Sequence, residues 1–431
     1  MYTLHVLNLT LTILFSLCCA YQLLYLALPR LKKEKPLPPS REEHDYAVLI
    51  CARNEEKVIG GLLESLRQQT YPAEKLHVFV LADNCLDGTE AAARAGGAMV
   101  YTRRDKAHVG KGYALEALLG HLQRDYPAGF DGYFVFDADN LLEEDYIEQM
   151  DRSFSAGYEI VTGYRNSVNY DGSWVSAGSA LWFLRESRYL NHARHLLGVS
   201  CAVSGTGFLF SRTLAEELGT WPFHLLTEDI EFTAYQLIRG RRIGFCASAV
   251  LYDEQPESFA QSWRQRLRWA RGYLQVMARY GPGLVKGALK GSFACYDMLM
   301  NILPVVVLPA LSLASALFLG LWGVCHGGSF LPGLMSAART LGSCWLAFFL
   351  LGAYTTLTEW KQIHTTTLRK LGYLFTFPFF LMTYLPVGVA SLFCDPGWKP
   401  IFHGAGRSAS HPVAAGSKAA WQSAPPSLSG H

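Results

Sequence analysis

The sequence predicts an α/β domain built on a mostly parallel sheet and flanked at both ends by membrane-spanning helices. Three observations carry that expectation. Apolar runs alternate with helix-spaced patterns between Tyr46 and Phe136, as in repeated strand–helix–strand units. Long, nearly uncharged stretches lie on either side of this region. The composition, 50% hydrophobic and 17% charged over 431 residues, is more apolar than a soluble fold requires.

The elements follow in order. Leu4 to Leu28 is nearly uncharged and reaches the roughly 20 residues that cross a bilayer. Arg30, Lys32, Lys33 and Lys35 come directly after it and its N-terminal end carries only His5, so the positive-inside rule sets the N-terminus outside and the next segment in the cytoplasm. A cleaved signal peptide would carry its charge before a shorter apolar stretch, so residues 1–30 read as an uncleaved anchor. Residues 45–280 have ordinary soluble character. Within them Tyr46 to Ala52, His77 to Ala82, Ala98 to Thr102 and Tyr133 to Phe136 read as strands. Val58, Ile59, Leu62, Leu63 and Leu66 recur at helix spacing between the first two, ending at Tyr71-Pro72, and Tyr113, Leu115, Leu118, Leu119 and Leu122 do so between the last two.

Residues 281–395 return to lipid-like sequence, read as interfacial and transmembrane helices. Met298 to Val324 carries Pro304 and Pro309, which would kink or break it; Ala337 to Leu357 and Leu371 to Phe393 follow, the last with Pro378 and Pro386. Such breakers are tolerated in a membrane where protein or water satisfies the freed backbone groups. If all four apolar segments span, the tail lies outside, yet it carries Lys399, Arg407 and Lys418. Either the charge rule fails there or the proline-broken last segment is re-entrant, and the sequence leaves both open. Residues 396–431 form a tail whose Ser, Ala, Gly and Pro content predicts disorder at its end. The 10 cysteines form no CxxC pair, which argues against a disulfide framework or zinc site and agrees with a reduced compartment. A formal net charge of +2 argues against a nucleic-acid partner.

In a parallel sheet covered by helices, ligands bind beyond the carboxyl ends of the strands. The first strand ends in CARNEE (Cys51 to Glu56), the second in ADNCLDGT (Ala82 to Thr89) and the fourth in DADN (Asp137 to Asn140). Each alone is a fair turn: Asp87-Gly88-Thr89 could simply start a helix, and Asn54 or Asp83 could be ordinary turn residues. Three polar strand ends on one sheet edge exceed what capping needs. Two aspartates one residue apart at a strand tip repel unless a divalent cation sits between them and a diphosphate, since hard cations take one or two carboxylates and complete their shell with phosphate and water.

Further motifs follow in chain order. Ala52-Arg53-Asn54-Glu55, Asp83, Lys111-Gly112, Asp137-Ala138-Asp139, Thr227-Glu228-Asp229 and Gln265-Arg266-Leu267-Arg268-Trp269, with apolar segments on both sides, resemble the processive family 2 glycosyltransferases: the bacterial cellulose, chitin, hyaluronan and poly-N-acetylglucosamine synthases. A lone DxD is a weak signal; DxD, TED and QxxRW in this order are specific. The resemblance implies a GT-A fold and inverting transfer from a UDP-sugar, N-acetylglucosamine or glucose on base rates, to a growing β-linked polysaccharide that passes through the protein's own membrane segments. It also implies a multi-pass protein of the plasma membrane with a cytoplasmic catalytic domain, open to secretion-complex subunits as partners.

Roles carried over from the resemblance are these. Ala52, Asn54, Glu55, Asp83, Lys111 and Asp137 would bind the nucleotide, with Asp83 at uracil. Asp137 and Asp139 would hold Mg²⁺ or Mn²⁺ on the diphosphate. Asp229 would be the base that takes the acceptor's proton, a role inversion demands, although an acid in a helix's first turn is also stabilised by the dipole alone. Glu228, Gly205, Thr206, Gln265, Arg268 and Trp269 would face the acceptor or diphosphate. Gln265, Arg268 and Trp269 share one helix face at i, i+3 and i+4. Trp263 and Trp269 could instead anchor a helix at the bilayer surface, and the run SGTGFLFSR (Ser204 to Arg212) could be a simple strand with a tight bend. His192 and His195, beside Arg188 and Arg194, read as a solvated helix face. Asp297 marks either a channel entrance or the headgroup level. Two rival functions share the DxD sheet: transfer of one sugar to a lipid phosphate or other membrane acceptor, and a non-catalytic subunit of a secretion complex.

Overall fold

The computed structural model describes residues 2–34, 37–40, 43–302 and 304–397. Lys399, Arg407, Lys418 and most of the predicted tail, including Trp398 to Ile401, lie outside the described residues.

Eight strands form one sheet: β1 (Tyr46–Ala52), β2 (Leu76–Asp83), β3 (Met99–Arg103), β4 (Gly132–Asp137), β5 (Leu141–Leu142), β6 (Ile160–Ser167), β7 (Phe208–Ser211) and β8 (Ile243–Asp253), in the order β3-β2-β1-β4-β7-β6-β8-β5. The first four strands match the sequence expectation within a residue or two and pair in parallel, with β1 in the centre. Register aligns their ends, Cys51 opposite Asp137 and Ala52 opposite Ala82. Beyond β4 the sheet turns mixed, since β7 runs antiparallel to both β4 and β6 while β6 and β8 are parallel.

The N-terminal apolar segment forms α1 (Tyr2–Cys19) and α2 (Tyr21–Leu31). In the domain follow α3 (Ile59–Arg67), α4 (Thr89–Ala95), α5 (Lys111–Asp125), α6 (Tyr146–Ser155), α7 (Trp174–Arg185), α8 (His192–Leu197), α9 (Arg212–Leu218) and α10 (Glu228–Ile238). Alternate strand residues feed two cores. Val48, Ile50, Phe134 and Phe136 pack against Leu62, Leu63 and Leu66 of α3 and Tyr146 to Met150 of α6; Leu49, Phe79 and Val135 pack against Leu115, Leu118 and Leu122 of α5 and the aromatic group Trp221, Phe223 and Phe232. The first helix stops at Arg67, ahead of the expected Tyr71-Pro72, because residues 73–75 form a separate short 3₁₀ turn.

The C-terminal part contains α11 (Phe259–Leu289), α12 (Phe293–Ile302), α13 (Pro304–Cys325), α14 (Leu331–Thr358), α15 (Thr367–Met382) and α16 (Tyr384–Phe393). The segment from Leu371 is divided at Thr383, between its two prolines, while the helices themselves run through Pro309, Pro378 and Pro386. Among the described residues three stretches are long and apolar enough to cross a membrane, Leu9–Leu31, Leu331–Thr358 and Thr367–Phe393, with a shorter apolar helix at Ala310–Cys325. The last stretch does not simply leave the α/β domain. Arg369 near its start pairs with Asp171 at 2.7 Å, Phe377 and Phe380 join the domain's core, and Arg266 of α11 donates to Thr383 at 2.5 Å. Gly178 of α7 permits this docking, as a Cβ there would come within 2.4 Å of Phe380. Helix α15 thus packs against the domain.

Two sequence expectations are corrected here. His192 and His195 do not form a solvated face: His192 is buried, and both Nε2 atoms meet the Glu34 carboxylate at 3.0 Å. Those hydrogen bonds outweigh burial and hold Glu34 at a pKa of about 2. Asp297 does not face the cavity; it is buried and bound by Arg194 and by Tyr21 of α2, each at 2.5 Å. The pair joins α2, α8 and α12. Replacing Arg194 with Met strands the Asp297 charge, and destabilisation of about 3–5 kcal/mol is expected. Adding Asp297→Asn should recover much of that loss, as thermal unfolding of the two variants in detergent will show.

Candidate active site at the strand ends

The carboxyl ends of β1, β2, β4, β6 and β8 open on one cavity of about 820 Å³. Ala52, Glu55, Asp83, Lys111, Asp137, Asp139, Gly205, Glu228, Asp229, Gln265, Arg268 and Trp269 all line it. Residues more than 200 positions apart in sequence therefore share one space.

Two predicted residues are held elsewhere. Asn54 adopts the left-handed φ of 61° that Asn tolerates, and its side-chain oxygen accepts from the Leu86 amide at 2.8 Å, so it shapes the loop beside β2. Thr206 is buried beneath the DADN tip, where its hydroxyl accepts from the Asp137 amide at 2.9 Å and also bonds Asn140. Both brace the wall without lining it.

Lys111 connects the motifs. It opens α5, pairs with Asp137 and donates to the Gly205 carbonyl at 2.7 Å. Burial works against its charge, but Asp137 and Glu228 outweigh that and raise its pKa. Gly112 allows the helix to begin here, because a Cβ would strike the Phe223 carbonyl at 1.9 Å. At the other end of the row, Asp83 is buried against Arg103 at 2.7 Å.

Glu228 and Asp229 begin α10. Thr227 occupies the cap position without a capping bond; its hydroxyl faces α11, where Gly272 comes so close that a Cβ would lie 2.5 Å from it. That approach brings Arg268 and Trp269 up to the acids. Burial raises Asp229 to about 6; burial and then the Asp229 charge raise Glu228 to about 7. Asp229 opens into the cavity. The side-chain oxygen of Gln265 is buried and has no hydrogen-bond partner among the described residues. The neighbouring Arg266 faces away, into Phe380 and Tyr384.

Gly205 sits between the two acidic motifs at φ 81°, and a Cβ there would point to Asp229 Oδ2 at 3.7 Å. The expected result for Gly205→Ala is a loss of activity exceeding any loss of stability, since about 1–2 kcal/mol of backbone strain falls on the Lys111 acceptor. Steady-state rates beside an unfolding curve check it.

Sequence reasoning missed Arg165, Asp253 and Glu254, which also line the cavity. Arg165 donates to Asp253 at 2.6 Å and to the Ser204 carbonyl at 2.9 Å, with its guanidinium 3.7 Å from the Phe183 ring centroid. The strand-end rule would have found them had β6 and β8 been recognised.

Among the described residues no group of three or more His, Cys, Asp or Glu could hold a metal unaided. Asp137 and Asp139 offer a hard cation carboxylate oxygens alone, which fits an ion whose remaining ligands come from a diphosphate and water.

An acid-lined cavity at the strand ends of a mostly parallel GT-A sheet defines a glycosyltransferase. The chain belongs to family 2 of these enzymes: residues 44–272, more than half of it, match the family described as "Glycosyltransferase like family 2". Among curated proteins it is 27% identical over 268 residues to a probable glycosyltransferase, YdaM, of Bacillus subtilis, which covers 57% of this chain and 60% of that one. It is 25% identical to the β-monoglucosyldiacylglycerol synthase of Nostoc sp., over 63% of this chain and 58% of that one. It is 24% identical to the poly-β-1,6-N-acetyl-D-glucosamine synthase of Staphylococcus aureus, over 54% and 55%. In each case the match spans less than two thirds of the relative's own length. A solved structure of similar fold is the mannosyltransferase PcManGT from Pyrobaculum calidifontis, in complex with GDP-Man and Mn²⁺, with a TM-score of 0.54 at 19% identity over 90% of this chain and 99% of that one.

Proposed function

We propose that this chain is an inverting, metal-assisted glycosyltransferase of the cell membrane that moves a hexose or N-acetylhexosamine from a UDP-sugar onto a growing β-linked glycan, with its α/β domain on the cytoplasmic side. The supporting observation is the single cavity that holds DxD, TED and QxxRW residues and continues toward the C-terminal helices. In this reading Asp83 meets the base of the nucleotide, and Lys111 gives its charge to the diphosphate. Mg²⁺ or Mn²⁺ held by Asp137 and Asp139 would offset the charge that develops on the leaving diphosphate. Asp229 takes the proton as the acceptor oxygen attacks the anomeric carbon and the bond to diphosphate breaks. Arg268 and Gln265 supply donors near the reacting groups, and Trp269, Trp182, Tyr273 and Tyr384 line the cavity with aromatic faces on which sugar rings pack. Export and secretion partners belong to the same proposal through the resemblance to the polysaccharide synthases.

Membranes carrying the protein, given a panel of UDP-sugars and followed by UDP release and linkage-specific digestion of the product, test the reading. It expects turnover of one donor, and silence with all of them overturns it. The base carries its own prediction. Only carboxylate Asp229 accepts a proton, so kcat/KM should fall as pH drops through about 6 and level off above it. Lys111 lowers the pKa of Asp229, so Lys111→Met should move that acid limb upward. A pH–rate profile of both proteins decides.

A further inference from the structure

Two largely buried cations hold neighbouring carbonyls of one short loop. Residues 203–206 lead into β7, and Lys111 donates to the Gly205 carbonyl at 2.7 Å while Arg165 of β6 donates to the Ser204 carbonyl at 2.9 Å. The loop is tied at each end to a catalytic motif. The Val203 amide donates to the Thr233 hydroxyl at 3.1 Å, one turn beyond Asp229 on α10, and the Thr206 hydroxyl accepts from the Asp137 amide. Between these ties Gly205 packs beside Asp229, so the loop sets how far the base stands from the diphosphate end.

A break in strand register aims Arg165 at this loop. Gly163 lies opposite Cys246 but Tyr164 opposite Val250, so residues 247–249 bulge from β8. Gly163 admits the bulge, because a Cβ there would come within 2.8 Å of the Ala249 carbonyl. Bulges beside active sites re-aim the side chains that follow. Past this one Arg165 stands opposite Leu251, which makes Asp253 its diagonal neighbour on the same face. Asp253 Oδ2 accepts from both Nε and Nη2 of Arg165, and Gln255 donates to the other oxygen at 2.7 Å. With the Phe183 ring against its plane as well, the guanidinium is fixed before any substrate arrives. The two cations therefore differ. Lys111 gives its charge to the donor's diphosphate in the transferase reading, which loosens its hold on the Gly205 carbonyl. Arg165, already matched by Asp253, keeps its own.

We propose that Arg165 is a positioning residue for the transfer step: by holding the Ser204 carbonyl it keeps the loop, and with it Asp229, at reacting distance from the donor while Lys111 serves the diphosphate. The proposal rests on the inverting-transferase reading and adds to it a residue that acts without binding the nucleotide.

Membranes carrying the full chain, given UDP-glucose or UDP-N-acetylglucosamine, are read for UDP release, and purified protein in detergent for UDP affinity by calorimetry. Arg165→Lys keeps a charge beside Asp253 but lacks the planar fork that reaches both partners. Its kcat should fall at least about fivefold, with donor KM and UDP affinity within about twofold. Arg165→Met combined with Asp253→Asn removes both charges together and leaves no lone buried carboxylate. That pair should lose about 100-fold in kcat at the same unchanged affinity. Because Gly205 acts through the same loop, Arg165→Lys joined to Gly205→Ala should cost less than the product of the two separate losses. A loss of kcat below about fivefold in Arg165→Lys or in the Arg165→Met/Asp253→Asn protein, UDP affinity weakened more than about twofold, or separate losses that multiply in full each overturns the positioning role and leaves the transferase reading intact. No UDP release from either donor by the unaltered protein overturns both.

Discussion

Asp229→Asn should lower the transfer rate by about 10²–10⁴-fold, the usual worth of a positioned general base, while the protein continues to bind UDP. The change keeps the shape of the side chain and removes its ability to take a proton. Lys111, Asp137 and Gly205 hold one another independently of Asp229, so the nucleotide end stays assembled. Glu228 is buried, and burial and then the Asp229 charge push it toward its neutral form, so the base is assigned to Asp229. Calorimetric UDP binding beside single-turnover rates separates the two effects. A variant retaining more than about a tenth of the rate would assign the proton to another group.

Asp139→Asn should cost about 3–4 kcal/mol of transition-state stabilisation, or about 100- to 1000-fold in rate. Lys111 pairs with Asp137 and with the Gly205 carbonyl, so loss of the Asp139 carboxylate bears on the diphosphate and leaves those contacts in place. A chelator should abolish activity in the unaltered protein, and titration with Mg²⁺ or Mn²⁺ should restore it. In the variant the restoring titration should need far more metal. Unchanged activity after chelation would remove the ion from the mechanism and leave Lys111 and Arg268 as the charges on the diphosphate.

The parallel half of the sheet was legible because its strands are buried on both faces and read as unbroken apolar runs between helix-spaced patterns. Its partner strands β6, β7 and β8 mix buried polar residues such as Thr162, Asn166 and Asp253 into the run, which hides the pattern. Because those strands went unread, so did Arg165 and Asp253. Asn54 and Thr206 stand inside the motifs but brace the cavity wall instead of lining it, a distinction that depends on where a side chain points and not on its type. The histidine pair failed for another reason. Its partner, Glu34, lies in the linker after α2, more than 150 residues away, and no local pattern announces it.

Arg266 has a consequence for the living membrane. Helix α11 carries Gln265, Arg268 and Trp269 toward the cavity and, on its other side, Arg266 against the junction of α15 and α16. The helix is thus a lever with one arm in the chemistry and the other pinned where two hydrophobic rods meet. A bilayer whose thickness tilts those rods would shift the cavity-lining arm, so turnover is expected to follow lipid composition even when a water-soluble alcohol serves as acceptor.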